Sequence, residues 1–550
     1  MDVQCYPIAT VPGTSALMRA FAEPSDAAER ALIRRWYTAE PFRMEWLKDA
    51  PQLSSEHRDR LASLLSGQSV AFGAGQAARQ NIERLRNGAA AVVTGQQVTL
   101  FGGPLLTLLK AATAIRKAAD ATAQSGREHV PVFWLASEDH DLAEVDQIAF
   151  PTKRELETLR IGLEASRPVP VGGLRVEGNG EDGRTRLDAT VERASELIGW
   201  GPAADLLREC YATNRGATLG SGIAKLLTAI FAEFGLVVMD AANRGFHELG
   251  APALRIAIER EEELERALLE RSEELVKAGF HAQVLVAPGH SLLFLLDAET
   301  GARLPLRRNG ENQWKAGAGS YSTAELLEIL ASAPERISPN ALLRPVFQDT
   351  ILPTAAYVGG PAEIAYFAQS AVVYERILGR VTAVLPRLSA TLVEPALAKV
   401  MAQHEVELPQ LWEAKTADAL AQRLGARAMP IEAKRKLAAA GNALDAELDA
   451  LTEYMAAMSE DLGRAAGVSA SKMRYQMNRL RTMAANFQVQ KEASLAKHAN
   501  ALMLNLFPEG HLQERVIGGI WFLARYGESL PKLLVDNSSQ ECPGHRLIFL

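Results

Sequence analysis

Cysteine is scarce. Only Cys5, Cys210 and Cys542 occur in 550 residues, too far apart to read as a disulfide framework or a metal-binding pattern. A reducing cytosol is therefore the expected compartment. No apolar run approaches the roughly 18 residues of a membrane span. The start of the chain, MDVQCYPIAT, has neither a basic segment nor an apolar one, so secretion is not expected either. An excess of positive charge is also missing: the formal charge is −7, which argues against a generic nucleic-acid or membrane-surface binder. Hydrophobic content of 48% and charged content of 23% are those of an ordinary globular protein, and the length allows two or three domains.

The most informative stretch is residues 89–117. A strand-like apolar run (89–93) leads to a glycine-bearing polar turn (94–103) and then a helical pattern from Pro104. Leu105, Leu108, Leu109, Ala112 and Ile115 form one face of that helix, with Thr107 and Lys110 off the stripe. Phosphate-handling α/β folds share this layout of buried strand, close-approach glycines and helix N-terminus. A second apolar run, 129–135, ends directly in Glu138, Asp139, His140 and Asp141, with Glu144 beyond. Such a cluster suits the carboxyl end of a strand, where open α/β sheets bind ligands. Its carboxylates could bind Mg²⁺, a ribose or a substrate ammonium; an acid-rich solvated loop is the plain alternative. Residues 344–366 repeat the layout: Arg344 and Gln348-Asp349 flank a short apolar run, then strand 355–358 meets Gly359-Gly360-Pro361 and a helix bearing Glu363 and Tyr366. Gly102-Gly103-Pro104 and Gly359-Gly360-Pro361 are thus expected at one edge of one sheet. A further strand, 381–385, closes at Arg387 and Ser389, both suited to phosphate contact.

Around this βα pattern, residues 1–88 read as a helical wrap, and 218–234 as a helix before a third strand at 236–239. Residues 155–161 and 168–176, separated by turns such as GNGEDG (178–183), and then 283–287 and 292–296, read as strands of insertions. Residues 259–277 form a charged helix with a solvated face. After about 390 the pattern becomes almost entirely helical. Leu437, Leu444, Leu448, Leu451, Met455, Met458 and Leu462 are spaced 7, 4, 3, 4, 3 and 4, and Met473, Met477, Leu480, Ala484 and Phe487 resume at 4, 3, 4 and 3 beyond a break at 463–467. The spacing predicts an antiparallel coiled-coil hairpin. Its second helix is basic (Lys472, Arg474, Arg479, Arg481, Lys491, Lys497), most simply a solvated face.

Several blocks together resemble the BshC family, the cysteine ligase of bacillithiol biosynthesis: VVTGQQVTLFGGPLLTLLKA (92–111), PVFWLASEDHDLAEV (131–145), LPTAAYVGGPAEIAYFAQ (352–369), PRLSATLVEP (386–395) and the QER…RYG ending (513–527). The resemblance spans nearly the whole chain. It implies an α/β, Rossmann-like core of the class I synthetase and nucleotidyltransferase kind over 1–388, with connecting-peptide insertions at about 151–215 and 270–340. A helical domain over 389–550 would carry the hairpin (about 431–505) and join two copies as a homodimer. The implied reaction links the carboxyl of cysteine to the amine of glucosaminyl-malate. The implied cofactor is ATP (or bound ADP), with Mg²⁺ as the accompanying ion; no zinc ligand set is visible.

Carboxyl activation needs N–H groups and a cation near the α-phosphate. Thr94, Gly95, Gln96, Gln97, Gly102, Gly103, Thr107, Lys110, Gly359, Gly360, Glu363, Tyr366, Arg387 and Ser389 are the candidates for nucleotide or substrate binding. Glu138, Asp139, His140 and Asp141 are the candidates for deprotonating the sugar ammonium. One feature departs from class I synthetases. Thr94-Gly95-Gln96-Gln97 contains no histidine where those enzymes have HxGH, and no lysine-rich loop lies near 386–395. Gln96, Gln97 and Thr107 would replace the histidine contacts, or the cosubstrate is not ATP. A nucleotidyltransferase-like enzyme acting on another small amine, and an RNA-binding or scaffold protein using the coiled-coil arm, are the competing readings.

Overall fold

The computed structural model describes residues 3–48, 51–163, 167–174, 186–212, 217–538 and 542–550. Its centre is a five-stranded parallel sheet in the order Ala383–Pro386, Thr354–Gly359, Ala90–Gln97, His129–Ala136, Val237–Asp240. The strands Ala90–Gln97 and Thr354–Gly359 are buried almost throughout, as expected of a parallel sheet covered on both faces. The chain enters at the middle strand, builds outward through His129–Ala136 and Val237–Asp240, and then returns to the other side with Thr354–Gly359. The order therefore reverses between Ala90–Gln97 and Thr354–Gly359. That is the switch point at which an open α/β sheet opens a crevice at its strand carboxyl ends.

The first strand runs further than the sequence pattern suggests. Thr94 to Gln97 are strand rather than turn, and a short 3-10 turn, Leu100–Gly102, precedes the helix Leu106–Ser125. Pairing with both neighbours carries the polar end of the strand along. The Arg344 segment is a helix, Arg344–Ile351, rather than an isolated apolar run.

The insertions are antiparallel. One is a five-stranded sheet ordered Gly319–Ser322, Gln313–Ala316, Arg303–Arg308, His290–Leu296, Ile337–Pro339; another is the pair Gln147–Pro151 and Leu156–Arg160. Residues 283–287 form no strand, nor do 168–174; Val176 and the GNGEDG turn lie outside the described residues. The helix Glu261–Lys277 is less solvated than its charge suggests, because Leu264, Leu268 and Leu275 are in the core and Arg271 is buried with them.

One expectation fails at the chain ends. The region after 390 is almost entirely helical as expected, but Ala390–Val393 and His545–Phe549 pair in parallel, and Val3–Tyr6 adds antiparallel to the latter. This pairing brings Cys5 and Cys542, 537 residues apart, to a Cα separation of 6.0 Å, and they form a disulfide. Sequence spacing carries no information about such a clasp. Cys210 is free and buried.

The hairpin consists of Ile431–Met458 and Glu460–Lys491. It turns at Ser459, not at 463–467. Gly463 is helical, and a Cβ there would lie 2.7 Å from the Ala456 Cα, so glycine serves close helix approach rather than a break. Leu448, Ala470 and Met477 are buried in the seam, while Ala485 is buried against Gly425 of the preceding helix Ala417–Ala428. Met473, Leu480 and Phe487, predicted for that seam, instead form an exposed stripe at heptad spacing, with Phe487 65% exposed. Among the described residues no helix is long and apolar enough to cross a membrane.

Candidate active site

A cleft of about 660 Å³ opens at the switch point. Its floor is the end of the first strand (Gly95, Gln96, Gln97), with Glu138, Asp139 and His140 on one side and Gly360, Glu363 and Tyr366 on the other. Gly95 must be glycine, since a Cβ would meet the Trp134 carbonyl oxygen at 2.9 Å.

Lys110 rises into this floor from the helix Leu106–Ser125. Its Nζ donates to the Gly95 carbonyl (2.8 Å) and to Gln96 Oε1 (2.9 Å), and lies 2.5 Å from Glu363 Oε2. Glu363 also accepts from the Tyr357 hydroxyl (2.6 Å) and the Gly360 N–H (2.7 Å). Burial raises the cost of both charges. The Lys110 ammonium, the Tyr357 hydroxyl and the Gly360 N–H nevertheless hold the Glu363 carboxyl below its ordinary range, while burial pulls the Lys110 ammonium down against the pull of Glu363. Arg387 is similarly engaged. Its Nη2 lies 2.6 Å from Glu514 Oε1, both side chains almost wholly buried. Burial alone would raise the Glu514 carboxyl; Arg387, with His545 and the Ala390 N–H, more than offsets this and holds it at about 2. Lys110 and Arg387 therefore reach the cleft already neutralised. Arg515 borders it too, exposed and without a side-chain hydrogen bond or ion pair among the described residues.

The acidic segment divides its labour. Asp139 accepts from Gln97 Nε2 (2.8 Å) and from the His140 N–H (2.7 Å), which ties the first two strand ends together. His140 Nδ1 lies 3.1 Å from Arg303 Nη1. A guanidinium can only donate, so Nδ1 accepts and the neutral ring carries its proton on Nε2. Burial, then Arg303, depress the imidazole further against Asp139 and Asp141, leaving His140 a donor rather than a base. Asp141 caps the short helix Leu142–Val145 through the Glu144 N–H and does not line the cleft. Glu138 does, with its side chain 18% exposed.

Six further nominated residues point elsewhere. The Thr94 hydroxyl donates to the Val358 carbonyl inside the sheet, and Thr107 is fully buried beyond the floor. Gly102 faces Leu226, and Gly103 packs on Thr99 in the turn. Gly359 and Ser389 face a separate cavity of about 310 Å³ on the far side of Arg387, where Ser389 donates to Glu514. The two Gly-Gly-Pro turns are thus not equivalent: only Gly360-Pro361 reaches the cleft. Residues that pattern reading missed complete the wall. Arg303 comes from the insertion sheet, stacked 3.8 Å over Phe294 and donating to Ser338 and the Pro339 carbonyl. Arg344 donates to Gln348 and to the Tyr366 hydroxyl. Its neighbourhood was visible in the sequence; nothing local marks Arg303. His247, buried behind Glu138, was likewise silent.

Among the described residues no three His, Cys, Asp or Glu side chains gather as a metal cage. A divalent ion would find Glu138 and Asp139 nearest and would need phosphate and water for the rest of its shell.

A parallel sheet with its cleft at the switch point, antiparallel insertions and an appended helical hairpin define a Rossmann-like enzyme with a coiled-coil domain. The chain belongs to the BshC family: residues 1–388 match the N-terminal Rossmann-like domain and residues 390–550 the C-terminal coiled-coil domain of bacillithiol biosynthesis BshC. It is 40% identical over 552 residues, covering 100% of both chains, to a protein of Koribacter versatilis named "Putative cysteine ligase BshC". Relatives of the same name in Solibacter usitatus (38% identical, 84% of each chain) and Carboxydothermus hydrogenoformans (29%, 92% of each) match as well.

Proposed function

We propose that this cleft joins the carboxyl group of L-cysteine to the amine of glucosaminyl-malate, completing bacillithiol, with ATP activating the carboxyl. A carboxylate does not react with an amine until one oxygen becomes part of a leaving group. In the simplest route that oxygen attacks the α-phosphorus and pyrophosphate departs. The amine nitrogen then forms the amide bond as AMP leaves with the oxygen, and one proton must go to a base. The observation that carries the reading is Glu138, a carboxylate facing a switch-point cleft beside a histidine that can only donate. His140 Nε2–H suits a developing negative oxygen. Because Lys110 and Arg387 are already paired, Arg515, Arg344 and Arg303 are the cations left for phosphate or substrate carboxylates. In this reading Gln96 and Gln97, at the strand end, replace the histidine contacts of synthetases, while Thr107 is buried away from the cleft.

Purified protein incubated with cysteine, glucosaminyl-malate and ATP–Mg should yield bacillithiol with stoichiometric AMP. ADP in its place would move the chemistry to the γ-phosphate, and no thiol product would refute the reading. The same reading includes a homodimer formed through the hairpin, supported by the exposed Met473, Leu480 and Phe487 stripe. Arg474 is engaged with Asp445 and Asp449 of the facing helix, which argues against a free basic arm for RNA.

A further inference from the structure

Glu138 has a neighbour that the proposed chemistry leaves unused. His247, on the helix Arg244–Glu259, has no solvent exposure, and its Nε2 lies 2.8 Å from Glu138 Oε1, an ion-pair contact without the alignment of a hydrogen bond. The ring is wedged against Phe347, with centroids 5.2 Å apart. Burying an imidazole in such a place is costly unless it has a partner. Among the described residues, the one carboxylate within ion-pair distance is Glu138, which reaches from the buried side into the cleft. Other charges face the pair from each packed element. Arg303 and Asp139 lie toward the cleft, Asp240 sits beneath at the end of the strand Val237–Asp240 with the Ser137 hydroxyl donating to it, and Glu335 approaches from the turn Pro334–Arg336.

We infer that His247 is a positioning residue that pins one Glu138 oxygen on the buried side and leaves the other turned to the cleft as the proton acceptor. This rests on Glu138 being the base of the proposed reaction. Burial alone would depress the histidine, but Glu138, the Ile337 backbone and Glu335 outweigh it and raise the imidazole.

The test compares His247→Phe, which keeps a ring against Phe347, and His247→Gln, which keeps an N–H without the charge. With cysteine, glucosaminyl-malate and ATP–Mg, His247→Phe should lower kcat about 10- to 100-fold, the range of losses seen for residues that orient a functional group. KM for ATP should stay put, and the acid limb of the kcat/KM profile should move up by about one pH unit. His247→Gln should recover part of kcat but retain the displaced limb. Loss of activity with an unmoved limb in both variants, tracking a fall in Tm, would assign His247 a packing role only. Titration of ¹³C-labelled glutamate, with Glu138 assigned by its absence in Glu138→Gln, reads the pair without turnover. The Glu138 carboxyl should titrate higher in His247→Gln than in the parent. An unchanged titration would overturn the inference whether or not the protein proves to be this ligase.

Discussion

At the level of single side chains, the cleft separates groups that hold the fold from groups free to act. Glu138 belongs to the second kind. Glu138→Gln keeps the shape and removes the basic oxygen, so kcat should fall about 10²- to 10⁴-fold in the ligase assay with little change in Tm. Lys110 belongs to the first kind. Lys110→Met strands the buried Glu363 carboxylate and should cost about 3–5 kcal/mol in chemical denaturation. Lys110→Met combined with Glu363→Gln removes both charges and should recover much of that loss; a double variant no better than the single would show that the pair is not the source. Lys110, Arg387 and Glu363, nominated from the sequence, all line the cleft, but the sequence could not show that both cations arrive with carboxylates attached.

Among the elements, the terminal sheet carries the clearest pH dependence. His545 on the last strand is wholly buried between Ser389 and Thr391, its two nitrogens 2.8 Å from their hydroxyls. Burial, aided by Arg387 and opposed by Glu514, pushes its imidazole down to about 4. A folded-state value below the unfolded one means the unfolded chain takes up the proton first. The stability is therefore fully present above about pH 6.5 and is lost as pH falls toward 4, by roughly 3 kcal/mol. His545→Asn should flatten that part of the pH–stability curve even if it lowers the plateau; a curve of unchanged slope would contradict the assignment. Glu514, also depressed, adds a second loss at still lower pH, in the same direction. Neither the strand nor its histidine was legible as an element, because five residues with no partner in view carry no period to read.

For the whole molecule, two long-range features make measurable claims. The Cys5–Cys542 clasp joins the two ends of the chain. Unreduced, denatured protein should show one titratable thiol per chain, that of Cys210, and reduction should cost about 2–4 kcal/mol of stability. Three thiols before reduction would refute the clasp in solution. The exposed stripe on the hairpin predicts that Met473→Glu, Leu480→Glu and Phe487→Glu together convert a dimer to a monomer by light scattering. A parent that is already monomeric would remove that proposal.

The sequence by itself determined the repeating strand–glycine–helix units, the acidic strand end, the helical hairpin and the family. Each is written in local period, turn chemistry or contiguous motif. It also reached most of the cleft: the segments 95–97, 138–140 and 360–366 meet there. Only the tertiary structure decided which members of those motifs face the cleft, because in a parallel sheet alternate residues of one strand turn to opposite faces, and the strand runs four residues past its expected end, which moves Thr94 from turn to core. It alone brought in Arg303, His247 and Glu514, which reach the site from an insertion, a following helix and the far C-terminal region. Their roles come from approach across hundreds of residues, which no local pattern records. The stretch between Ala90 and Lys110 thus keeps its place as the floor of the site, but its lysine holds Glu363, and the acid–base role we propose falls to Glu138 with His247 behind it.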